Sequence, residues 1–279
     1  MDFWKENEKW IKLEKNSRTI CRHICGFRNV DDIISTCWAA EKNNDEKLPQ
    51  TVEQDEATQQ ETEESETKIW RLLEMTEREK MLSGELYDPT DKELEQLRLN
   101  ARKLARKYNL TDEDQPEEQA KILQELLPTT EELPYLQAPV YFDYGCNTFF
   151  GKFSSANFNF TCLDVGEIHI GNHVMIGPNV TLATPMHPLL PEERNIRKRE
   201  DGSFYNLEYA KPITIKDNCW LASNVVVCGG VTIGEGCVIG AGSVVTRDIP
   251  PYSLAAGNPC RVIRKITEKD HMPDVIEKN

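Results

Sequence analysis

Aliphatic positions recur every six residues along one stretch of this chain. They open consecutive hexads at Ile215, Leu221, Val227, Ile233, Ile239 and Val245, and small residues follow most of them. Position five of each hexad holds Cys219, Val225, Val231, Cys237, Ser243 or Ile249, a second regular column. An earlier run through Ile170, Ile176 and Leu182 keeps the same phase, with Val174, Val180 and Met186 at position five. An amphipathic helix spaces apolar residues by three and four, and a strand by two. A period of six does neither. It describes a chain that turns a corner every six residues, stacking short parallel strands into a triangular prism with ~18 residues per coil.

Upstream the pattern changes. Thr76-x-x-Glu79 and Thr90-x-x-Glu93 each fit a capping box, in which hydroxyl and carboxylate satisfy free N–H groups at a helix start. Behind the second, Leu94, Leu97, Ala101, Leu104, Ala105 and Tyr108 predict a helix of about five turns. A shorter helix follows Pro116, with Ala120, Leu123, Leu126 and Leu127 as its stripe, and Pro128 ends it. Tyr141, Phe142, Phe149, Phe150, Phe158 and Phe160 predict irregular first coils of the prism. Residues 41–67 carry too few large apolar side chains to offset the entropy of ordering them. The chain therefore divides into a largely disordered extension (1–67), a helical segment (68–134), a mainly β prism (135–266) and a tail (267–279). The hexads break between His187 and Pro212, where a charged excursion, residues 188–211, leaves the prism. Long loops inside compact domains are functional or disordered.

Charge narrows the partners. A formal net charge of −14 argues against nucleic-acid binding, which needs a basic footprint. No stretch approaches the ~20 apolar residues of a membrane span, and the first residues lack the layout of a secretory signal. The nine cysteines read as reduced thiols, Cys219, Cys228 and Cys237 serving as small apolar side chains within the repeats. A cytoplasmic protein is expected.

His187 stands where the repeat breaks, and Pro188 biases it toward an extended backbone that fixes the direction of the imidazole. Imidazole suits proton transfer near neutrality, although a solvent-exposed loop histidine has the same local sequence. His169, His173 and His187 raise the question of zinc, which needs three ligands converging within ~2.1 Å of one point. His169 falls just before a hexad-opening residue and His173 at a corner, so no metal is expected. Cys21-x-x-x-Cys25 with His23 and Cys37 lacks a fourth ligand and the usual spacing. Arg247, Arg261, Arg264 and Lys265 are each ordinary surface cations when taken singly. Their cluster at the end of the prism suits phosphate oxygens. Trp220 reads as a core or subunit-interface residue.

Several stretches between Met75 and Ile266 resemble the maltose or galactoside O-acetyltransferases, a sugar-acetylating branch of the hexapeptide-repeat acyltransferases. They include Glu79-Lys80-Met81-Leu82-Ser83-Gly84-Glu85-Leu86-Tyr87, Asp143-Tyr144-Gly145, Ala156-Asn157-Phe158-Asn159, Leu163-Asp164-Val165, His187-Pro188 and Ala256-Gly257-Asn258-Pro259-Cys260-Arg261-Val262-Ile263. The resemblance implies a left-handed parallel β-helix and a homotrimer with an active site in each groove between neighbouring prisms. It implies acetyl-CoA as co-substrate, a small sugar as acceptor, and direct transfer without a covalent enzyme intermediate. The general base maps to His187 and the transition-state stabiliser to Asn157. Acceptor contacts map to Asp88, Asp143 and Asn157, and acetyl-CoA contacts to Ser223, Ala241, Thr246, Arg247, Arg261 and Arg264.

The chain departs from the family at three places. Arg247 stands where lysine is frequent. Val165 replaces an acidic residue of the galactoside branch, which sides this chain with the maltose branch. The excursion after His187 is longer than usual through Ile196 to Phe204. Outside the resembling stretch, residues 1–67 have no counterpart in the family. Two other readings remain open: a same-fold enzyme with an amine or serine acceptor, and a non-catalytic prism engaging partners through residues 1–67.

Overall fold

The computed structural model describes residues 71–272. The chain divides into two units, Met1–Glu74 and Met75–Asn279, and the second carries the helical cap and the prism. The expected disordered extension and the Cys21, Cys25 and Cys37 group lie outside the described residues.

Between Met75 and the prism lie three helices. Helix α1 (Glu77–Ser83) begins with the expected capping box: Thr76 accepts from Glu79 N, and the Glu79 carboxylate accepts from Thr76 N at 2.7 Å. Helix α2 (Lys92–Asn109) has the expected length, but its cap is Asp91, whose carboxylate accepts from the Glu93 and Leu94 amides. Thr90, the sequence candidate for that cap, instead donates its hydroxyl to Asp88 at 2.7 Å. Leu94, Ala101, Ala105 and Tyr108 are buried as the periodicity requires. Helix α3 (Pro116–Leu126) buries Ile122, Leu123 and Leu126, while Ala120 faces outward. Leu123, Leu126 and Leu127 are thus buried as the stripe requires, and Ile122 joins them in place of Ala120.

The remainder is a β-helix of stacked parallel coils, in which every hexad side becomes one short strand. The strands align into a five-stranded sheet, a four-stranded sheet and a seven-stranded sheet that form the three faces. Register follows the hexads: Leu221 pairs with Ile176 and Ile239, Val227 with Leu182 and Val245, and Ile215 with Ile170 and Ile233. Opening positions and fifth positions from 215 to 249 are all buried and fill the axis. The early coils take the aromatics: Phe142, Phe150 and Phe160 are buried and meet edge to face, with ring centroids 6.0–6.3 Å apart.

Position four makes the corner. Asn179, Asn218, Asn224, Gly230, Gly236 and Gly242 all have left-handed backbones, with φ between 58° and 85°. Only glycine and, next best, asparagine accept that conformation at small cost, which explains their recurrence at this step of the repeat. His173 occupies the same step at φ 54° and stacks its ring on Phe153.

The phase fails at Met186. It is half-buried, and Pro185–Met186 pairs antiparallel with Tyr209–Ala210 instead of continuing the coil. The excursion thus departs one step earlier than the hexads suggest. It carries a short helix (Pro191–Arg194) and a hairpin whose strands are Arg197–Lys198 and Phe204–Tyr205. The chain re-enters at Ile213, in register with Ile168. At the far end Arg261–Lys265 folds back antiparallel on Ser253–Ala256 and closes the seven-stranded sheet.

Candidate active site

Seven of the ten site candidates fall on two edges of the prism, one on each side of the five-stranded face, while Asp88 lies in the helical cap and Arg261 and Arg264 on the closing strand. The leading edge, entered from the seven-stranded sheet, carries Asn157 after Ser155–Ala156, Ser223 after Trp220–Leu221 and Ala241 after Val238–Ile239. Ser223 and Ala241 occupy adjacent coils, where Gly242 N donates to Ser223 O at 2.9 Å. The trailing edge carries Asp143 after Val140–Phe142, His187 beyond Thr181–Ala183, and Thr246 with Arg247 after Val244–Val245. Coils stack ~4.8 Å apart, and one six-residue side spans on the order of 15–20 Å. The structure therefore groups the candidates by edge. Asn157 and His187 of one protomer follow strands on opposite sides of that face.

His187 is exposed, and the antiparallel pair at the base of the excursion holds the strand it follows. Asn157 is half-buried. Its backbone N–H is spent on Ile176 O at 2.9 Å, and its Oδ1 accepts from Phe158 N at 2.8 Å. The amide NH2 is left as the donating end.

Both carboxylates that the resemblance assigns to the acceptor are already paired. Arg102 donates to Asp143 Oδ1 at 2.6 Å. Asp88 accepts from the Thr90 amide and hydroxyl through Oδ1, and Arg199 of the excursion donates to its Oδ2. Arg98 ties the two regions together, donating to Tyr144 OH and to Pro89 O, both at 2.6 Å. Asp143 also lines a cleft of about 460 Å³ between α2 and the first coils, with Arg102, Arg106, Asn109, Tyr141 and Leu163. Val165 is buried with Met81, Tyr87, Leu94, Tyr144 and Ala210, an apolar seam joining the helices, the trailing edge and the returning strand of the excursion.

Beneath these residues lies a polar column that the repeat pattern does not reveal. Asp164 is fully buried; its Oδ1 accepts from Tyr144 N at 2.8 Å and its Oδ2 from the Thr148 hydroxyl at 2.9 Å. Burial pushes its carboxyl up to about 6, and those two hydrogen bonds limit the rise. Asn147 donates to Asp164 O at 2.9 Å, and buried Thr184 bridges Gly166 N and Leu163 O. Asn147, Asp164 and Thr184 brace successive turns of the trailing edge, where Asp143 and His187 emerge. Of the three, only Asp164 fell within a stretch of family resemblance, and nothing in spacing marked it.

At the far end the cations differ in availability. Arg247 and Arg261 are exposed, and Cys260 N donates to Val244 O at 2.8 Å, which sets Arg261 beside the last coil. Arg261 donates to Cys260 O at 2.8 Å. Arg264 is ion-paired with Asp270 at 2.7 Å, and Lys265 donates to Pro251 O. Trp220 is 47% exposed beside Met175 on the outer seven-stranded face, so it is not a core residue. Among the described residues no three His, Cys, Asp or Glu side chains group to hold a metal ion, and no helix is long and apolar enough to cross a membrane.

The maltose acetyltransferase hexapeptide capping motif matches residues 80–131, the helical cap, and the bacterial transferase hexapeptide motif of six repeats matches residues 212–247. The galactoside O-acetyltransferase of Escherichia coli is 41% identical over 71% of this chain and 92% of its own. A crystal structure of a maltose O-acetyltransferase from Clostridium difficile superposes with a TM-score of 0.63 at 43% identity, covering 70% of this chain and 99% of that one. A galactoside acetyltransferase in complex with coenzyme A gives the same TM-score at 39% identity, over 70% and 94% of the two chains. With a helical cap, a six-residue coil and this shared sequence, the chain belongs to the maltose and galactoside O-acetyltransferase branch of the hexapeptide-repeat acyltransferases.

Proposed function

We propose that this protein transfers the acetyl group of acetyl-CoA to a hydroxyl of a small, maltose- or glucose-like sugar, with His187 as general base. The observation that carries the reading is the division of candidates between two edges of one face. Along the trailing edge, Asp143 stands at the capped end, His187 two coils on, and Thr246 with Arg247 about 10 Å beyond. Asn157, Ser223 and Ala241 run parallel on the leading edge. A groove between two copies, trailing edge against leading edge, unites both sets. A homotrimer supplies three such grooves.

In that groove His187 takes the proton of the attacking sugar hydroxyl as the new C–O bond forms at the thioester carbonyl. The Asn157 amide donates to the resulting oxyanion, a contact worth roughly 3–4 kcal/mol in comparable sites. Collapse breaks the C–S bond, and the imidazolium returns its proton to the departing thiolate, leaving acetyl ester and CoA thiol. Such proton transfer contributes typically ~10²–10⁴-fold. Arg247 and Arg261 supply phosphate contacts from the open end, against a chain of net charge −14. The six cysteines of the described residues are all free thiols, in keeping with the reducing cytoplasm.

His187→Ala tests the reading. Thiol release from acetyl-CoA in the presence of sugar should fall at least ~10²-fold while sedimentation still reports the assembled species. Unchanged turnover would remove the proposed base.

A further inference from the structure

We propose that Arg199 is a specificity-determining residue: through it the inserted hairpin claims Asp88, so that this carboxylate anchors a roof over the acceptor end. The inference rests on the acetyl-transfer reading above, in which Asp88 marks that end.

The hairpin is built locally. Arg199 N donates to Ser203 O at 2.8 Å, Gly202 takes a left-handed backbone at φ 89°, and the Asp201 carboxylate accepts from Ser203 N and Oγ. This turn presents the Arg199 guanidinium toward the helical cap. Its Nη1 donates to Ser203 Oγ at 3.1 Å and Phe204 O at 3.2 Å. Its Nη2 donates to Asp88 Oδ2 and to Thr90 Oγ1 at 3.0 Å. The guanidinium carbon also lies 4.5 Å over the Tyr205 ring. A carboxylate has about four acceptor positions. Three on Asp88 are filled, two by Thr90 and one by Arg199.

A carboxylate so engaged has little capacity left for a pair of sugar hydroxyls. The pair is also half-buried, with the arginine side chain 32% and the aspartate 22% exposed, so water competes weakly for it. The base of the excursion is held separately. Tyr87 and Glu208 exchange backbone hydrogen bonds at 2.9 and 3.1 Å, and Tyr87 OH donates to the Glu208 carboxylate at 3.0 Å. Loss of Arg199 therefore frees the hairpin tip without unmooring the excursion. With the clasp closed, the roof favours a one-ring acceptor over a two-ring one at this end. With it open, that preference relaxes.

The test compares Arg199→Ala, Arg199→Lys and Asp88→Asn with wild type. Two readouts are taken: amide hydrogen exchange over residues 197–205, and kcat/KM for methyl glucoside and for maltose by thiol release. Both Arg199→Ala and Asp88→Asn should speed exchange in the hairpin at least ~10-fold, with the capping helices unchanged. Both should raise the maltose-to-methyl-glucoside ratio by ~5–10-fold, with the KM for acetyl-CoA within about two-fold of wild type. Arg199→Lys keeps charge without the fork and should shift both readouts less. Unchanged exchange in both alanine and asparagine variants overturns the clasp. Loss of transfer to both sugars in Asp88→Asn alone, with Arg199→Ala like wild type, overturns the assignment by making Asp88 an acceptor ligand. A wild-type enzyme that acetylates neither sugar sinks the sugar reading instead, while exchange still decides the clasp.

Discussion

Asp164→Asn isolates one buried ionisation and gives it a magnitude. The wild-type carboxyl titrates at about 6 in the fold against an ordinary value of 3.8. That gap, at ~1.4 kcal/mol per pKa unit, amounts to about 3 kcal/mol. The sign follows from which state holds the proton. Below pH ~4 the group is neutral whether folded or unfolded, and burial costs nothing. Between pH ~4 and ~6 the unfolded chain has released its proton while the folded chain retains it, so stability falls as pH rises. Above ~6 both are ionised and the cost is constant. Asparagine removes the titration but keeps the geometry. Its Oδ1 still accepts from Tyr144 N, and its NH2 donates to Thr148 Oγ1, whose own hydrogen turns to Cys162 Sγ at 3.3 Å. Urea unfolding at matched protein concentration, repeated between pH 4 and 7.5, measures the difference between variant and wild type. Stability of the variant relative to wild type should rise by about 3 kcal/mol across that range, most of it before pH 6.5. A difference that stays flat with pH refutes the buried, reluctantly ionised carboxylate.

Two further outcomes follow from the same contacts. Arg261→Ala should raise the KM for acetyl-CoA several-fold more than that for sugar, and more steeply at low ionic strength, as steady-state kinetics at two salt concentrations would show; equal effects on both substrates contradict a phosphate contact. Thr76→Ala deletes one half of the α1 capping box and should cost about 1 kcal/mol in chemical denaturation with no change in either KM.

What the sequence disclosed divides along physical lines. The coil, its phase and its core were legible because an aliphatic side chain at Ile215, Leu221 or Val227 must face the axis wherever the coil passes, and repetition multiplies the signal. Position four went unread in the sequence, and the left-handed backbone of Asn218 and Gly236 explains its asparagines and glycines. Contacts between distant segments were not legible. Asp91 caps α2 because Thr90 is drawn away by Asp88, and Asp88 by an arginine 111 residues later. The buried column of Asn147, Asp164 and Thr184 has no period, since each satisfies a particular corner. The resemblance located His187, Asn157 and Asp143 by analogy, whereas their placement on two edges required the register.

That register also explains how the prism accommodates the excursion. Ala183 pairs with Cys228 and Ile168 with Ile213, so the coil resumes on the far side of the excursion as though nothing had intervened. The gap is closed by the antiparallel pair Pro185–Met186 with Tyr209–Ala210, which fixes both ends. Once ends are fixed, lengthening the intervening loop costs only about (3/2)RT ln n, or ~0.6 kcal/mol per doubling. The prism therefore tolerates a hairpin here that no coil interior would accept; a residue inserted between Val227 and Val231 would shift every later corner out of phase. His187 stands one residue past the closing pair, so it keeps its place while the segment beyond it varies. On the acetyl-transfer reading proposed above, proton transfer and acceptor choice are separated along a few residues of chain: the proposed base belongs to the fixed neck, and the proposed selection to the loop that hangs from it.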